Sequence, residues 1–322
     1  MSNILQTLFE RPRSPLQRLR SPRLEAAQVD CWVKRDDLLN LPVLNNAFAF
    51  SGNKWRKLKY NLLAAKQTGK QKLLTFGGAF SNHLAAVAAA GYQFDLDTIG
   101  IVRGEKPLTL NPTLRFVESC GMQLVFVSRT EYRQKNTPDF QAELKKRFGD
   151  FYLIPEGGTN AEALKGTAEM GIEILEQLDI VPDEIRLCCG TGGTAAGLIQ
   201  GLAGKSYVKG YSVLKGDFHQ AEIQSLLTAT PALQNWQIHT DAHCGGYAKT
   251  TPELLHFIRH FAMENGIFLD PIYTGKLFFA FWKDLENDQL KAGTKIILVH
   301  SGGLQGIAGF NERFAIQLPT PL

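Results

Sequence analysis

Glu184-Ile185-Arg186-Leu187-Cys188-Cys189-Gly190-Thr191-Gly192-Gly193-Thr194 runs from a short, largely apolar stretch into glycines and threonines, then into the small residues Ala195, Ala196 and Gly197. This pattern predicts a strand, a tight loop and a helix over 194–202. The same alternation extends outward in both directions. Strands are expected at 31–35, 72–76, 98–103, 123–128, 151–154, 184–189, 207–214, 236–239 and 295–300. Helices are expected at 55–68, 82–90, 112–120, 140–148, 161–178, 194–202, 218–227, 252–265 and 276–285. Such alternation implies parallel sheets covered by helices, so the fold class is α/β. Ligands of these sheets gather at the carboxyl ends of strands, which makes the loops the place to look.

The chain has 322 residues, 44% hydrophobic and 20% charged, an ordinary globular composition long enough for two domains. Its net charge of +4 owes much to Arg11, Arg13, Arg18, Arg20 and Arg23. These alternate with prolines rather than with aromatics that stack on bases, so the reading is a solvated N-terminal meander and no nucleic-acid partner. No apolar run approaches the ~20 residues that span a membrane, and no signal segment opens the chain. A cytoplasmic protein is expected. Cys188 and Cys189 sit together in an apolar run and the other three cysteines are scattered, which suits neither disulfides nor a metal centre.

At Gly190, Thr191, Gly192, Gly193 and Thr194, free N–H groups at a helix start would form a phosphate cradle with no lysine required. It is not a P-loop. It does fit a loose dinucleotide fingerprint at Gly190, Gly192 and Ala195, which also wants an acid at the end of the next strand. There the chain reads Leu214, Lys215 and Gly216 before Asp217. A second loop, Gly77-Gly78-Ala79-Phe80-Ser81-Asn82-His83, lets Ser81 or Asn82 cap a helix and turn polar atoms toward a ligand, or is a plain glycine turn. His83 is assigned no chemistry.

In Ser51-Gly52-Asn53-Lys54-Trp55-Arg56-Lys57-Leu58-Lys59-Tyr60, glycine and asparagine favour a turn and the apolar spacing starts a helix, so Lys54 falls at or beside its first turn. The helix end disfavours an ammonium there and lowers its pKa. Lys54 is thus a candidate amine nucleophile, against the plainer reading of a solvated lysine beside Lys57 and Lys59. Late in the chain, Asp270-Pro271-Ile272-Tyr273-Thr274-Gly275-Lys276 places Tyr273 and Thr274 on a turn before a helix, and Ser301-Gly302-Gly303 follows the last strand. Gly245-Gly246-Tyr247 puts Tyr247 on a flexible loop, a lid or a surface accident.

A lysine at a helix start, a phosphate cradle, a Ser-Asn loop and a Ser-Gly-Gly strand end together suggest a phosphate-bearing aldehyde, pyridoxal 5'-phosphate. At these motifs the chain resembles the fold-type II pyridoxal-phosphate enzymes, specifically the 1-aminocyclopropane-1-carboxylate deaminase and D-cysteine desulfhydrase group. The likeness runs from Ser14-Pro15-Leu16 and Trp32-Val33-Lys34-Arg35-Asp36-Asp37-Leu38 to His300-Ser301-Gly302-Gly303. It implies two domains with parallel sheets and a cleft between them. The large cofactor-binding domain would comprise 1–54 and 160–322, the small one 55–159. It implies Lys54 as the Schiff-base lysine and the base that moves the Cα proton, and Gly190, Thr191, Gly192, Gly193 and Thr194 as the phosphate cradle. Asn82 would meet the cofactor's 3-hydroxyl, Ser81 the substrate carboxylate or a shuttled proton, and Tyr247 and Tyr273 would flank substrate and cofactor. A homodimer is also implied.

Three departures stand out. Family members usually carry Gln where this chain has Phe80. An insertion, 39–50, precedes the lysine motif and is expected as a loop packed near the cleft entrance. The deaminases are similar here except for Glu at the position of Thr274 and an apolar residue at that of Ser301. These hydroxyls beside the pyridine nitrogen imply a D-cysteine desulfhydrase-like lyase acting on a small amino acid. A 1-aminocyclopropane-1-carboxylate deaminase or L-cysteate sulfo-lyase-like enzyme is the alternative. From a different class, a dinucleotide-binding regulatory protein would use the glycine loop without covalent chemistry.

Overall fold

A computed structural model describes residues 10, 13–228 and 233–321. From the amino end, β1 (Leu16–Leu19), α1 (Pro22–Ala26), β2 (Asp30–Arg35), β3 (Asn40–Val43) and β4 (Asn46–Ser51) lead into α2 (Gly52–Gln67). Next come β5 (Lys72–Gly78), α3 (Asn82–Phe94), β6 (Asp97–Arg103), α4 (Pro112–Ser119), β7 (Gln123–Val127), α5 (Arg129–Arg133), α6 (Pro138–Phe148) and β8 (Tyr152–Ile154). The chain continues through α7 (Ala161–Gln177), β9 (Glu184–Cys189), α8 (Gly193–Leu202), β10 (Tyr207–Ser212), α9 (Phe218–Leu226) and β11 (Trp236–His239). It closes with α10 (Pro252–Asn265), α11 (Thr274–Glu286), β12 (Lys295–His300) and α12 (Gly306–Phe314).

Two sheets form the domain cores. The larger has the order β1-β2-β12-β9-β10-β11 and is parallel except for β1, which runs antiparallel to β2; the smaller, β7-β6-β5-β8, is wholly parallel. Because side chains alternate across a strand, each sheet feeds two apolar layers. In the smaller sheet Leu73 and Val102 face α2, α3 and α4, while Leu74, Phe76, Ile99 and Ile101 face α5 and α6. In the larger one Cys31, Val33, Ile296 and Leu298 pack under α10, α11 and α12, and Ile185, Leu187, Ile297 and Val299 under α7, α8 and α9. This is the α/β architecture expected from the alternation.

Helix α2 is anchored between the two sheets by a buried ion network. The Arg56 guanidinium donates to both oxygens of Asp36 (2.6 and 2.8 Å) and both of Glu173 (2.9 and 2.8 Å). The Lys34 ammonium donates to Glu173 Oε2, Gln177 Oε1 and the Ser14 carbonyl, each at 2.7 Å. Burial alone would raise the Asp36 carboxyl, but Arg56, with Lys34 and the Ser14 hydroxyl, outweighs it and holds the group below its usual range.

Several stretches depart from the sequence reading. The N-terminal basic segment is no meander: β1 joins the large sheet at its edge, α1 follows, and Arg13, Arg18 and Arg23 pair with Glu176, Asp30 and Glu286; Arg11 lies outside the described residues. The insertion 39–50 is a β3–β4 hairpin rather than a loop, and Leu41, Val43, Ala49 and Phe50 join the core around α3. Apolar side chains at this density needed burial, and an antiparallel pair satisfies the backbone while supplying it. Helix α12 went unpredicted because Gly302, Gly303, Gly306 and Gly309 weaken any helical signal that tertiary packing then overrides. No helix among the described residues is long and apolar enough to cross a membrane.

Candidate active site

The carboxyl ends of β9 and β12 and the start of α2 converge on Lys54. Gly52 has φ +63°, and a Cβ there would stand 2.2 Å from the Ser301 carbonyl oxygen, so only glycine allows the helix to begin against the end of β12. The Asn53 N–H donates to that same carbonyl (3.0 Å), and the Asn53 amide donates to Thr194 Oγ1 (3.0 Å). Lys54 is thereby fixed on the first turn of α2, partly accessible, with Asn53 Oδ1 as its hydrogen-bond acceptor at 3.1 Å. Burial lowers its pKa to about 8, against the opposing pull of the Cys188 and Asp270 side chains. The lowered pKa matches the sequence reading, but its main physical cause is desolvation rather than the helix end.

The glycine loop lies alongside. Gly192, with φ +69°, precedes α8, and a Cβ on Gly190 would press on the Tyr273 ring at 3.2 Å. Behind the loop sits Lys57, one helical turn after Lys54 and almost fully buried. Its ammonium donates to the Gly157 carbonyl (3.0 Å), Thr159 Oγ1 (3.0 Å) and Thr191 Oγ1 (3.3 Å). A Cβ on Gly193 would lie 3.1 Å from its Nζ. Burial, and then the charge of Lys54, holds the Lys57 pKa well below the usual range. Sequence reasoning passed over Lys57 and Thr159. The three-residue spacing from Lys54 carried the first signal; the second comes from the end of β8, far off in sequence.

Ser81 caps α3, its Oγ accepting from the His83 and Leu84 N–H groups (both 3.2 Å), which leaves its proton for another partner. Asn82 Oδ1 accepts from the Gln305 amide. His83 is buried, bonded through Nε2 to Thr75 Oγ1 (2.8 Å), and burial keeps it neutral. Tyr273 and Tyr247 meet edge to face with centroids 6.2 Å apart. Burial, and then Tyr247, raises the Tyr273 phenol well above its usual range, so it stays protonated.

Asp270 is a buried acid the sequence analysis quoted without a role. Its carboxylate accepts from the N–H groups of Ile272 (2.9 Å), Tyr273 (2.7 Å) and Thr274 (2.9 Å) and from the Thr274 hydroxyl (2.7 Å). Thr274 Oγ1 in turn accepts from the Asp270 N–H (3.0 Å). The Thr274 proton is therefore committed. Among the described residues Ser301 Oγ meets the softer Cys188 Sγ at 3.4 Å, a contact in which either atom can donate, and burial pushes that thiol up to about 12.

Comparison with known proteins places this geometry. The description of the pyridoxal-phosphate dependent enzymes matches residues 9–302. The chain is 31% identical, over 91% of its length and 77% of the relative's, to the bifunctional D-cysteine desulfhydrase/1-aminocyclopropane-1-carboxylate deaminase of Arabidopsis thaliana. It is 24% identical to the D-cysteine desulfhydrase of Serratia proteamaculans, over 97% and 99%. Among solved structures, an ACC deaminase homologue superposes with a TM-score of 0.81 at 26% identity, covering 98% of this chain and 99% of that one. The residues fit such a cofactor: glycines keep Cβ atoms out of the cradle, Lys57 stands behind it without a carboxylate partner among the described residues, and Lys54 has a depressed pKa.

Proposed function

The chain belongs to the pyridoxal-phosphate dependent enzymes, within the group of 1-aminocyclopropane-1-carboxylate deaminases and D-cysteine desulfhydrases, and we propose that it is a lyase eliminating the β-substituent of a small amino acid. With D-cysteine and water the products are pyruvate, ammonia and sulfide. The dinucleotide-binding alternative is set aside by the family match. The observation that carries the proposal is Lys54, on the first turn of α2 beside the glycine loop, whose pKa of about 8 leaves roughly a tenth as free amine at pH 7 and more above it.

When bound, pyridoxal phosphate supplies an aldehyde that condenses with amino groups and a ring that withdraws electrons from the bonds at Cα. The chain's own residues do the rest. The loop Gly190–Thr194 would hold the phosphate through N–H and hydroxyl donors, backed by Lys57 through Thr191 and Thr159. Asn82 would orient the cofactor's 3-hydroxyl, and the free proton of Ser81 would meet the substrate carboxylate. Lys54 as free amine takes the Cα proton, while Tyr273, beside Tyr247 and held protonated, would donate a hydrogen bond to a leaving thiolate. Ser301, rather than Thr274, is the hydroxyl with a proton to offer an unprotonated ring nitrogen, since Thr274 donates to Asp270. With Ser301 rather than a carboxylate beside it, the ring would be the weaker electron sink, enough where a thiolate departs at once and less so for opening a cyclopropane.

A second reading, deamination of 1-aminocyclopropane-1-carboxylate, is favoured by the same Asp270, a buried carboxylate whose negative charge in the cleft wall would favour a protonated ring nitrogen. Product assays separate the two. Pyruvate and sulfide from D-cysteine, without comparable 2-oxobutanoate from the cyclopropane amino acid, is the expected outcome; equal or greater 2-oxobutanoate formation would overturn it. We also propose residues 55–159 as the small domain, 1–54 with 160–322 as the large one, and a cytoplasmic homodimer, the last to be read by sedimentation.

A further inference from the structure

Beside the site, a cleft is lined by Phe80, Asn82, Tyr247, Asp270, Phe310 and Arg313, among others. One face of α12 forms its length. A Cβ on Gly306 would lie 3.1 Å from Asn82 Oδ1, and one on Gly309 would lie 3.2 Å from the Phe80 ring. Arg313 holds its guanidinium 5.2 Å from the centroids of both Phe80 and Phe314. Residues 306, 309 and 313 share a helical face. At 1.5 Å of rise per residue, Arg313 stands about 10 Å along the axis from the residue that touches Asn82. Helical side chains lean toward the amino end, so the guanidinium reaches back along the cleft.

Arg313 is exposed at this end of the cleft, open to an incoming anion. No carboxylate pairs with Arg313 among the described residues; the adjacent Glu312 is paired with Arg115 at 3.1 Å. Asp270, the acid in the cleft wall, already accepts from three backbone N–H groups and the Thr274 hydroxyl. Cation–π contact with two rings orients the guanidinium without neutralising it. Phe80 is one of these rings.

Building on the lyase reading, we propose that Arg313 is a specificity-determining residue that binds a second anionic group, a sulfonate or carboxylate, on the substrate's side chain. The axial offset from Gly306 places it away from the Ser81–Asn82 end of the cleft, where the α-carboxylate is assigned, and toward the distal group. With cysteate, Lys54 takes the Cα proton, the Cβ–S bond breaks with sulfite leaving as it takes the electron pair, and one water completes pyruvate and ammonia.

The holoenzyme and its Arg313→Gln and Arg313→Lys variants test this by calorimetric titration with 3-sulfopropanoate and with butanoate. Wild type is expected to bind the sulfonate at least ~10-fold more tightly, as a charge-assisted hydrogen bond would give. Arg313→Gln should abolish that preference and Arg313→Lys should keep part of it. In parallel, the ratio of kcat/KM for cysteate over β-chloroalanine of the same handedness should fall at least ~10-fold in Arg313→Gln. An equal loss for both substrates, or no sulfonate preference in wild type, overturns the proposal. Failure of wild type to turn over any of these amino acids would count against the lyase reading instead, and the titrations would still decide the role of Arg313.

Discussion

Lys54 and Arg56 lie two residues apart on the first turns of α2, about 200° around the helix, and their surroundings differ completely. Arg56 is saturated by Asp36 and Glu173, with Lys34 completing a network of two acids and two cations. Lys54 and Lys57, on the other face, meet amide, carbonyl and hydroxyl oxygens only. The network holds the helix in place; the carboxylates outweigh the burial of Arg56 and raise its pKa, and they oppose the burial that lowers that of Lys34. On the cleft face no carboxylate bonds either lysine among the described residues, and only the unbonded charges of Asp270 and Cys188 oppose the burial of Lys54, so both ammonium groups are destabilised. Placement of carboxylates, rather than burial alone, separates the structural face from the chemical one.

The sharpest way to break this contrast is Lys54→Ala. Turnover should fall at least ~10⁴-fold with no loss of melting temperature, because the reaction needs the amine and the fold does not. Substantial residual turnover would remove Lys54 from the chemistry. On the opposite face, Arg56→Met should cost about 3–5 kcal/mol of unfolding free energy in denaturant titrations, since it strands the Asp36 carboxylate. A loss below ~1 kcal/mol would mean that the network is not what anchors α2.

Lys57→Met should leave the fold intact and weaken cofactor binding about 10- to 100-fold, the range of a lost charge-assisted hydrogen bond, as read by equilibrium dialysis. Unchanged affinity would place the phosphate elsewhere. The smallest expected effect is a pH profile. Below its pKa Lys54 is an unreactive ammonium, and above it the free amine, so cofactor uptake by the apoprotein should rise as pH approaches about 8 and level off beyond it. The Arg56→Met variant should keep that midpoint if the two faces are independent.

Much of this was legible in the chain. Nine expected strands are all present, because short β-branched and apolar runs between glycine turns announce themselves locally. The glycine–threonine loop, the Ser81 cap and the helix start at Lys54 are equally local, each decided by a few adjacent residues. The β3–β4 hairpin and α12 were not: the former draws its stability from α3, and the latter forms despite its glycines because Ile307 and Phe310 are buried in the large-domain core.

The sequence by itself determined the α/β alternation, the family likeness and the residue types gathered at the strand ends. Tertiary structure alone decided which cations were compensated. Lys57 read no differently from Lys59 in the sequence, yet Lys59 pairs with Glu169 while Lys57 lies behind the glycine loop with carbonyl and hydroxyl partners and no bonded acid among the described residues. Likewise the Thr274 hydroxyl is seen to be committed only once it is found donating to Asp270, and the proposed role of Arg313 arises only where α12 lays it over Phe80. Local sequence specifies the intrinsic chemistry of a group, but its pKa and free valences depend on desolvation and on partners brought from more than a hundred residues away, as Thr191 is to Lys57.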